Sequence, residues 1–213
     1  MKSGYNLKLQ FASAGLALAL VSGGCAMMEP RSERYIAPPM GSTWVTARRD
    51  TGSYGSGSGQ TSSKMGEQVW RGQKFNAYAS QEQTLLAHPD GRWVAQVRGD
   101  TPLVTWDPPT AWQWPLHVGK KMTRKFTVTV HATKQTIPVE VTDTIEAYED
   151  VTVPAGTFKA FRVRSVDNAG NDNVTWISPE LGIFVKQSLR RTATHSQGPG
   201  TRDTEVVSQT IRR

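Results

Sequence analysis

Residues 151–186 read V-T-V-P-A-G-T-F-K-A-F-R-V-R-S-V-D-N-A-G-N-D-N-V-T-W-I-S-P-E-L-G-I-F-V-K. Short apolar stretches alternate here with three turn signals, V-P-A-G, N-A-G-N-D and S-P-E-L-G. Proline presets φ for a turn and removes a hydrogen-bond donor from a strand, while glycine tolerates positive φ. The stretch therefore predicts a three-stranded antiparallel meander that is entered through a three-residue hairpin loop at residues 154–156.

The rest of the chain continues this pattern. Alternating segments separated by turns recur about every 8 to 12 residues, which is the spacing of β-sandwiches and β-barrels. The Gly- and Ser-rich run at residues 52–63 is interpreted as a flexible hairpin loop between paired strands. Helical periodicity never persists, so one short helical turn near residues 110–112 is the most helix expected. The predicted fold is all-β, an antiparallel meander forming a barrel or a curved half-open sheet.

Length and net charge limit the number of domains and the kinds of partner. A chain of 213 residues fits one domain plus extensions. The net charge of +7 falls to about +5 if Lys2 and Lys8 leave with a targeting segment. An excess of this size favours contact with anionic envelope surfaces, although a solvated basic face without a partner explains it as well. We expect no nucleic-acid partner.

The N-terminus carries the most specific signal. Lys2 and Lys8 precede an apolar run at residues 11–21, which ends in V-S-G-G-C at Cys25. The run is too short to cross a bilayer, which takes ~20 residues. It resembles the signal peptide and lipobox of bacterial lipoproteins, which implies diacylglycerol and palmitate on Cys25. The alternative is an incidental cysteine in an ordinary secretory signal or an uncleaved anchor.

This resemblance sets the predicted organisation of the chain. Residues 1–24 would be the signal peptide, 25–42 a lipidated flexible tether, and 43–211 a single β domain. A lone cysteine cannot form an internal disulfide, which supports the lipid interpretation. At ~0.8 kcal/mol per buried methylene, the acyl chains would hold the protein on the membrane permanently. Ala26 follows the cysteine where an aspartate would imply the inner membrane, so the resemblance implies the periplasmic face of the outer membrane.

Residues 106–121, W-D-P-P-T-A-W-Q-W-P-L-H-V-G-K-K, interrupt the alternation. Three prolines and three tryptophans in so few residues are incompatible with a central strand. Trp106, Trp112 and Trp114 could form an aromatic platform for sugar rings or lipid headgroups. Alternatively, they could plug the open end of a barrel.

Three motifs of the C-terminal half resemble a family of uncharacterised exported bacterial proteins and lipoproteins. They are W-P-L-x-V-G-K-K at residues 114–121, V-P-A-G-T-F-K-A-F at 153–161 and W-I-S-P-E-L-G-x-x-V-K at 176–186. The resemblance implies an antiparallel, mostly β periplasmic fold, related to the half-open sheets that shelter lipid in lipoprotein carriers. It implies no reaction.

Catalytic signatures are scarce in the sequence. It contains no H-E-x-x-H, no G-x-S-x-G, no phosphate-binding glycine loop and no Cys/His cluster. We therefore predict no cofactor and no metal. Scattered histidines are expected to be exposed or locally hydrogen-bonded, namely His88, His117, His131 and His195. A carboxylate cluster could bind a cation or form an acid–base pair, but it also fits a solvated turn, and it comprises Asp143, Glu146, Glu149 and Asp150.

Two functions from different classes remain open. The first is a non-enzymatic, membrane-anchored binding or structural module that holds an apolar ligand such as an envelope lipid, or contacts peptidoglycan or a membrane protein. Candidate contacts are Phe126, Val128, Val130, Phe158, Phe161 and Trp176, besides the three tryptophans above. The second is an envelope hydrolase of glycan or ester with acidic catalytic residues. A pair of carboxylates ~5 to 9 Å apart would favour the hydrolase, and an elongated apolar cavity would favour the binding module.

Overall fold

A computed structural model describes residues 30–212 of the chain. This part consists of strands and connections and contains no helix, so it has no helix that could cross a membrane. The short helical turn predicted near residues 110–112 is therefore wrong, because a strand extends to Thr110 and an irregular turn follows. The strands are β1 Arg31–Ser32, β2 Thr43–Gly52, β3 Gly57–Trp70, β4 Gln73–Ser80, β5 Thr84–Ala87, β6 Trp93–Arg98, β7 Thr101–Thr110, β8 Leu116–His117, β9 Lys121–Val130, β10 Gln135–Val153, β11 Gly156–Asp167, β12 Asp172–Ser178, β13 Ile183–Arg191 and β14 Gly200–Gln209.

Twelve of these strands form a closed antiparallel barrel. Each strand pairs with its neighbour in sequence, β9 follows β7 directly, and β14 pairs with β2 to close the ring. Closure leaves no open sheet edge among the twelve, which removes the usual template for unwanted strand pairing. The all-β prediction is confirmed, the barrel is the correct one of the two alternatives, and the meander of residues 151–186 forms the end of β10 followed by β11, β12 and β13.

Two predicted loops are shorter than the sequence suggested. Val153 pairs with Gly156, so the V-P-A-G hairpin has a two-residue loop instead of three. The Gly-Ser run contributes only residues 53–56 to a loop, because β3 begins at Gly57 and pairs with Asp50. Glycine and serine residues have the same backbone N–H and C=O groups as other residues, and in β3 these groups pair with β2. Composition therefore predicted the hairpin but overestimated its loop.

The tryptophan- and proline-rich segment also contains more strand than predicted. Trp106 belongs to β7 and pairs with Val128 of β9, so the prediction that residues 106–121 exclude a barrel strand is wrong at its N-terminal end. Pairing with β9 ends at Asp107, and pairing with β6 is interrupted between Thr105 and Thr110. Pro108 and Pro109 fall in this interruption, where no ladder partner needs an N–H.

The barrel packs its apolar side chains into three separate clusters. A β-bulge between Ile145 and Ala147 explains how one strand serves two of them, because an inserted residue reverses which face later side chains occupy. The first cluster contains Trp44, Met65, Val151, Val153, Ala160, Leu181, Ile183, Val185, Val206 and Ile211. The second contains Trp70, Phe75, Ala77, Leu86, Ala95 and Val97. The third contains Leu116, Met122, Ile145, Phe161, Val163 and Ile177.

The N-terminal segment lies against the barrel before β2 begins. Its strand β1 pairs with β8 in a small separate sheet. The Tyr35 hydroxyl donates to the carbonyl of Gly182 at 2.8 Å and lies 2.7 Å from the Tyr78 hydroxyl. The Tyr35 ring is 6.0 Å from that of Trp114. The part of the predicted tether from Arg31 onward is thus in contact with the barrel, and residues 25–29 lie outside the described range.

A pair of glycine substitutions tests the closure of the barrel. Gly52 and Gly72 both have positive φ. A Cβ on Gly52 would lie 2.5 Å from the carbonyl oxygen of Pro199, whereas a Cβ on Gly72 would meet no atom of the described residues within 4 Å, apart from those of its chain neighbours. We expect Gly72→Ala to cost about 1 to 2 kcal/mol through left-handed strain, and Gly52→Ala to cost more because backbone next to β14 must move. Urea unfolding measures both, and equal losses would contradict this account.

Candidate functional site

Two clefts on the described surface bring together sequence-distant residues. The first, here called the tryptophan cleft, is an open cavity of about 440 Å³ lined by Trp112, Trp114 and Arg124, with Asp90, Arg92 and Lys125. The second, called the arginine groove, has about 400 Å³ and is lined by Arg162, Arg164, Trp176 and Arg190, with Glu146 and Asp172. Both combine indole rings with guanidinium groups.

A buried ion pair fixes the charged group of the tryptophan cleft. Nε and Nη2 of Arg124 donate to Oδ2 and Oδ1 of Asp143 at 2.6 and 3.2 Å. Asp143 is fully buried and also accepts a 2.5 Å hydrogen bond from the Ser165 hydroxyl. Nη1 of Arg124 donates to Oγ1 of Thr110 at 3.0 Å. These bonds come from four strands, so the guanidinium has little freedom to move.

The remaining capacity of Arg124 defines what the cleft can bind. A guanidinium has five N–H donors, and three of them are engaged by Asp143 and Thr110. Two donors are left for a ligand, on a side chain that is 11% exposed at the cleft. Hydrogen bonds from a charged donor to an anionic oxygen are about twice as strong as neutral ones. The cleft therefore suits an anionic or strongly polar oxygen.

Core packing and the Lys120 side chain hold the two tryptophans of the cleft in place. Trp112 and Trp114 pack against the third core cluster, which contains Phe161 and Ile177. Nζ of Lys120 donates to the carbonyl oxygens of Gln113 and Pro115 and so ties down the backbone between the two indoles. Burial, together with the nearby Arg31 charge, lowers the pKa of Lys120. The walls are thus fixed to the barrel.

The arginine groove lies on β10 to β13 and is largely neutralised by its own carboxylates. Nε and Nη2 of Arg164 donate to the two oxygens of Asp172 at 2.8 and 2.9 Å, and Arg190 donates to the same carboxylate. The hydrogen bond from Arg164, followed by that from Arg190, holds the pKa of Asp172 below its usual range. Nε1 of Trp176 donates to Oε1 of Glu149 at 2.8 Å.

One donor of the arginine groove has no hydrogen bond. Nε of Arg162 is buried and unsatisfied, although it lies 3.1 Å from Oε2 of Glu146. The short distance gives an ion pair, but its geometry is not that of a hydrogen bond. The acidic and basic side chains of the arginine groove pair with one another, as Arg92 does with Asp90 and Arg124 does with Asp143 in the tryptophan cleft. The clefts differ in that the carboxylate of Asp143 is fully buried, whereas that of Asp172 is partly exposed.

The predicted contact residues do not form one site. Trp112 and Trp114 line the tryptophan cleft, Phe161 is buried beneath them, and Trp176 lines the arginine groove. The others lie elsewhere. The Phe126 ring centroid is 5.7 Å from the Arg124 guanidinium carbon, and the Trp106 ring centroid is 5.9 Å from that of Trp93. Phe158 packs against the first core cluster, and Val128 and Val130 lie on β9 opposite β7. Both clefts are lined by charged side chains, so neither is an elongated apolar cavity.

The acidic cluster is engaged in ion pairs. Asp143 bonds Arg124, Asp150 lies 2.9 Å from Lys159, and Glu146 and Glu149 lie 3.1 and 3.9 Å from Arg162. The histidines are dispersed, and each contacts a different neighbour: His88 the Phe75 ring, His117 the Val118 carbonyl, His131 the Thr105 hydroxyl and His195 the Gln197 amide. Within residues 30–212, no group of three or more His, Cys, Asp or Glu could hold a metal ion.

Sequence reasoning missed Arg124 as a site residue, yet a signal was present. On β9, Met122, Arg124 and Phe126 occupy alternate positions, and on β10 Asp143 falls between Val141 and Ile145 in the same way. Opposite charges at inward positions of two adjacent strands indicate a buried pair, because an isolated buried charge would be too costly.

Cys25, the predicted lipidation site, lies outside the described residues.

Comparisons with known proteins give structural similarity only. No protein-family model and no curated protein matches the chain. A hypothetical lipoprotein, YmcC, from Escherichia coli K12 is 13% identical with a TM-score of 0.44, over 81% of this chain and 88% of that one. A candidate exported protein with a YmcC-like fold from Bacteroides fragilis is 11% identical with a TM-score of 0.45, over 84% and 100% of the two chains.

A candidate lipoprotein from Parabacteroides distasonis is 10% identical with a TM-score of 0.43, over 84% of this chain and 99% of that one. Similarities of this size carry no inference about ligand, activity or location. The family resemblance of the three sequence motifs stays a prediction.

Substitution of Asp143 tests the ion pair that orders the tryptophan cleft. We expect Asp143→Ala to lower the free energy of unfolding by about 3 to 5 kcal/mol, since Arg124 would be left buried without a counter-charge. Asp150→Ala on the same strand is the matched control: its pair with Lys159 is exposed, so its loss should be at most about 1 kcal/mol. Urea unfolding of both variants measures the difference, and losses of similar size would refute the structural role.

Proposed function

We propose that this protein is a lipid-anchored module of the bacterial cell envelope that binds an anionic envelope component in the tryptophan cleft without transforming it. The anchor would be Cys25, on the periplasmic face of the outer membrane. The observation that carries the binding role is Arg124, fixed by Asp143 at the base of a cleft walled by Trp112 and Trp114.

The form of the cleft limits the class of ligand. Indole rings present flat apolar faces, which suit sugar rings and the glycerol region of lipids. The guanidinium presents donors in a planar fork, which suits carboxylate and phosphate. A ligand that combines the two features is a phospholipid headgroup or an acidic glycan. Because the cleft is open and the charge is already fixed, binding requires no rearrangement of the barrel.

The envelope location is supported by the sequence at the N-terminus. The basic residues, the short apolar run and the V-S-G-G-C motif follow the order of a lipoprotein signal. Two or more acyl chains on one cysteine give stable membrane anchoring, whereas a single chain gives only reversible binding. In this proposal the barrel is held permanently at the membrane, so even a weak ligand at the surface is met at high local concentration.

Removal of the thiol tests the anchor. Cys25→Ala should abolish incorporation of labelled palmitate and release the protein from the membrane fraction, because no other cysteine exists to carry the lipid. The barrel should stay folded, as judged by circular dichroism and protease resistance. A variant that still incorporated palmitate would show that the lipid is not on Cys25.

Replacement of Arg124 by lysine tests the binding role. Lysine keeps the charge next to Asp143 but lacks the planar fork, so Arg124→Lys should weaken binding of a soluble anionic probe about tenfold. Suitable probes are dihexanoyl phosphatidic acid and a galacturonate oligomer, each titrated calorimetrically into the folded protein.

Arg190→Lys in the arginine groove is the matched control and should bind both probes like the unmodified protein. Equal loss in the two variants would indicate a nonspecific charge effect. Unchanged binding in Arg124→Lys would exclude the tryptophan cleft as the site. The probe that binds more tightly distinguishes a lipid phosphate from an acidic glycan.

A further inference from the structure

The N-terminal segment restricts where a membrane can lie relative to the barrel. It is held from Arg31 onward, since Arg31 pairs with His117 and Ser32 with Leu116. Only the residues between Cys25 and Arg31 separate the proposed lipid from β8. A fully extended chain covers at most ~3.3 to 3.6 Å per residue, so the lipidated residue lies within about 20 Å of β8.

This reach is short compared with the barrel. Strand β10 has 19 residues, which corresponds to about 60 Å at ~3.3 Å per residue. The amide of Gly119, next to β8, donates to the carbonyl of Ile145 on β10. Ile145 lies in the middle of β10, so β8 lies beside the middle of this strand. Ile137, near the β9–β10 turn, is eight residues along β10 from Ile145, or about 26 Å. The membrane is therefore tethered beside the middle of β10, at a distance from the β9–β10 turn.

The surface around β8 is basic and partly apolar. We define the β8 surface as β8 itself, the turn at residues 118–120, Lys121 and the facing residues 31–34. Arg34 and Lys121 form no ion pair within the described part of the chain. The Lys120 ammonium is bound to two backbone carbonyls, and Arg31 pairs with Glu33. Val118 is 36% exposed in the middle of the surface. Cations around an exposed apolar side chain suit the headgroup region of a bilayer.

From the short tether and this charge distribution, we infer that the β8 surface rests on the phospholipid headgroups of the membrane that holds Cys25. This inference depends on the proposed lipid anchor. The tryptophan cleft adjoins the β8 surface through Trp114 and Pro115, which directly precede β8. It therefore opens close to the level of the headgroups, whereas the β9–β10 turn lies farther along β10 from the membrane contact.

Two exposed apolar residues provide a matched pair of probes. Val118 is 36% and Ile137 is 38% exposed. Val118 belongs to the β8 surface, whereas Ile137 lies eight residues along β10 from Ile145, which contacts that surface. Full-length Val118→Cys and Ile137→Cys variants are purified in lipidated form, so that acylated Cys25 does not react and only the new thiol takes a fluorescent label. They are reconstituted into vesicles of phosphatidylethanolamine and phosphatidylglycerol that contain a lipid with a nitroxide on its headgroup.

We expect the label at position 118 to be quenched at least threefold more strongly than the label at position 137. Equal quenching, or stronger quenching at 137, would overturn the inference. Mass spectrometry and vesicle flotation of the same samples distinguish failure of the lipid anchor from failure of the inferred orientation. Protein that carries acyl chains and floats, but shows equal quenching, refutes only the orientation, whereas protein without acyl mass on residue 25 refutes the anchor and the orientation together.

A second measurement uses the unmodified protein. Lys121 is an exposed residue of the β8 surface, and Lys134 is an exposed residue of the β9–β10 turn. An amine-reactive reagent should modify Lys121 severalfold more slowly in vesicles than in detergent micelles, while Lys134 should react equally in both. Equal rates for Lys121 in the two environments would overturn the inference even if a cysteine variant had failed to fold.

Discussion

The ion pair between Arg124 and Asp143 connects the stability of this barrel with its candidate site. It joins β9 to β10, and the hydroxyls of Ser165 and Thr110 extend it to β11 and β7. A buried charge without its partner costs several kcal/mol, so neither residue can change alone. The interaction that holds four strands in register also fixes the guanidinium that faces the cleft. The proposed binding capacity would then be a by-product of how the barrel neutralises its own buried charge.

The size of the ring explains why the core is divided. The interior of an eight-stranded barrel is just filled by side chains, and a twelve-stranded ring is wider. A β-bulge changes which side chains of a strand face the interior. The bulge at Ile145 and Ala147 moves the buried face of β10 from one side of the sheet to the other. The Trp70 indole donates to the carbonyl of Asp100, which brings β3 to the β6–β7 turn around the second core cluster.

The strands could be predicted from turn chemistry, but the division of the core could not. V-P-A-G, N-A-G-N-D and S-P-E-L-G mark real reversals between β10 and β13. The bulge is hidden because Val141 and Ile145 before it, and Val151 and Val153 after it, all occupy odd positions. Alternation alone suggests one continuous buried face. The contacts of Thr110 with Arg124 and of Ser165 with Asp143 were equally hidden, since they depend on the register of the paired strands.

Contact between the N-terminal segment and the barrel changes what an anchor would do. The segment was predicted as a flexible tether of residues 25–42, which would let the barrel adopt any orientation above a membrane. Pairing of β1 with β8, and the bonds of Tyr35 to Gly182 and Tyr78, hold the segment against the barrel from Arg31 onward. A tether that ends at Arg31 is shorter than the long strands of the barrel. In the inferred arrangement, orientation would follow from where the chain is held, and the tryptophan cleft would lie beside the β8 surface that rests on the headgroups.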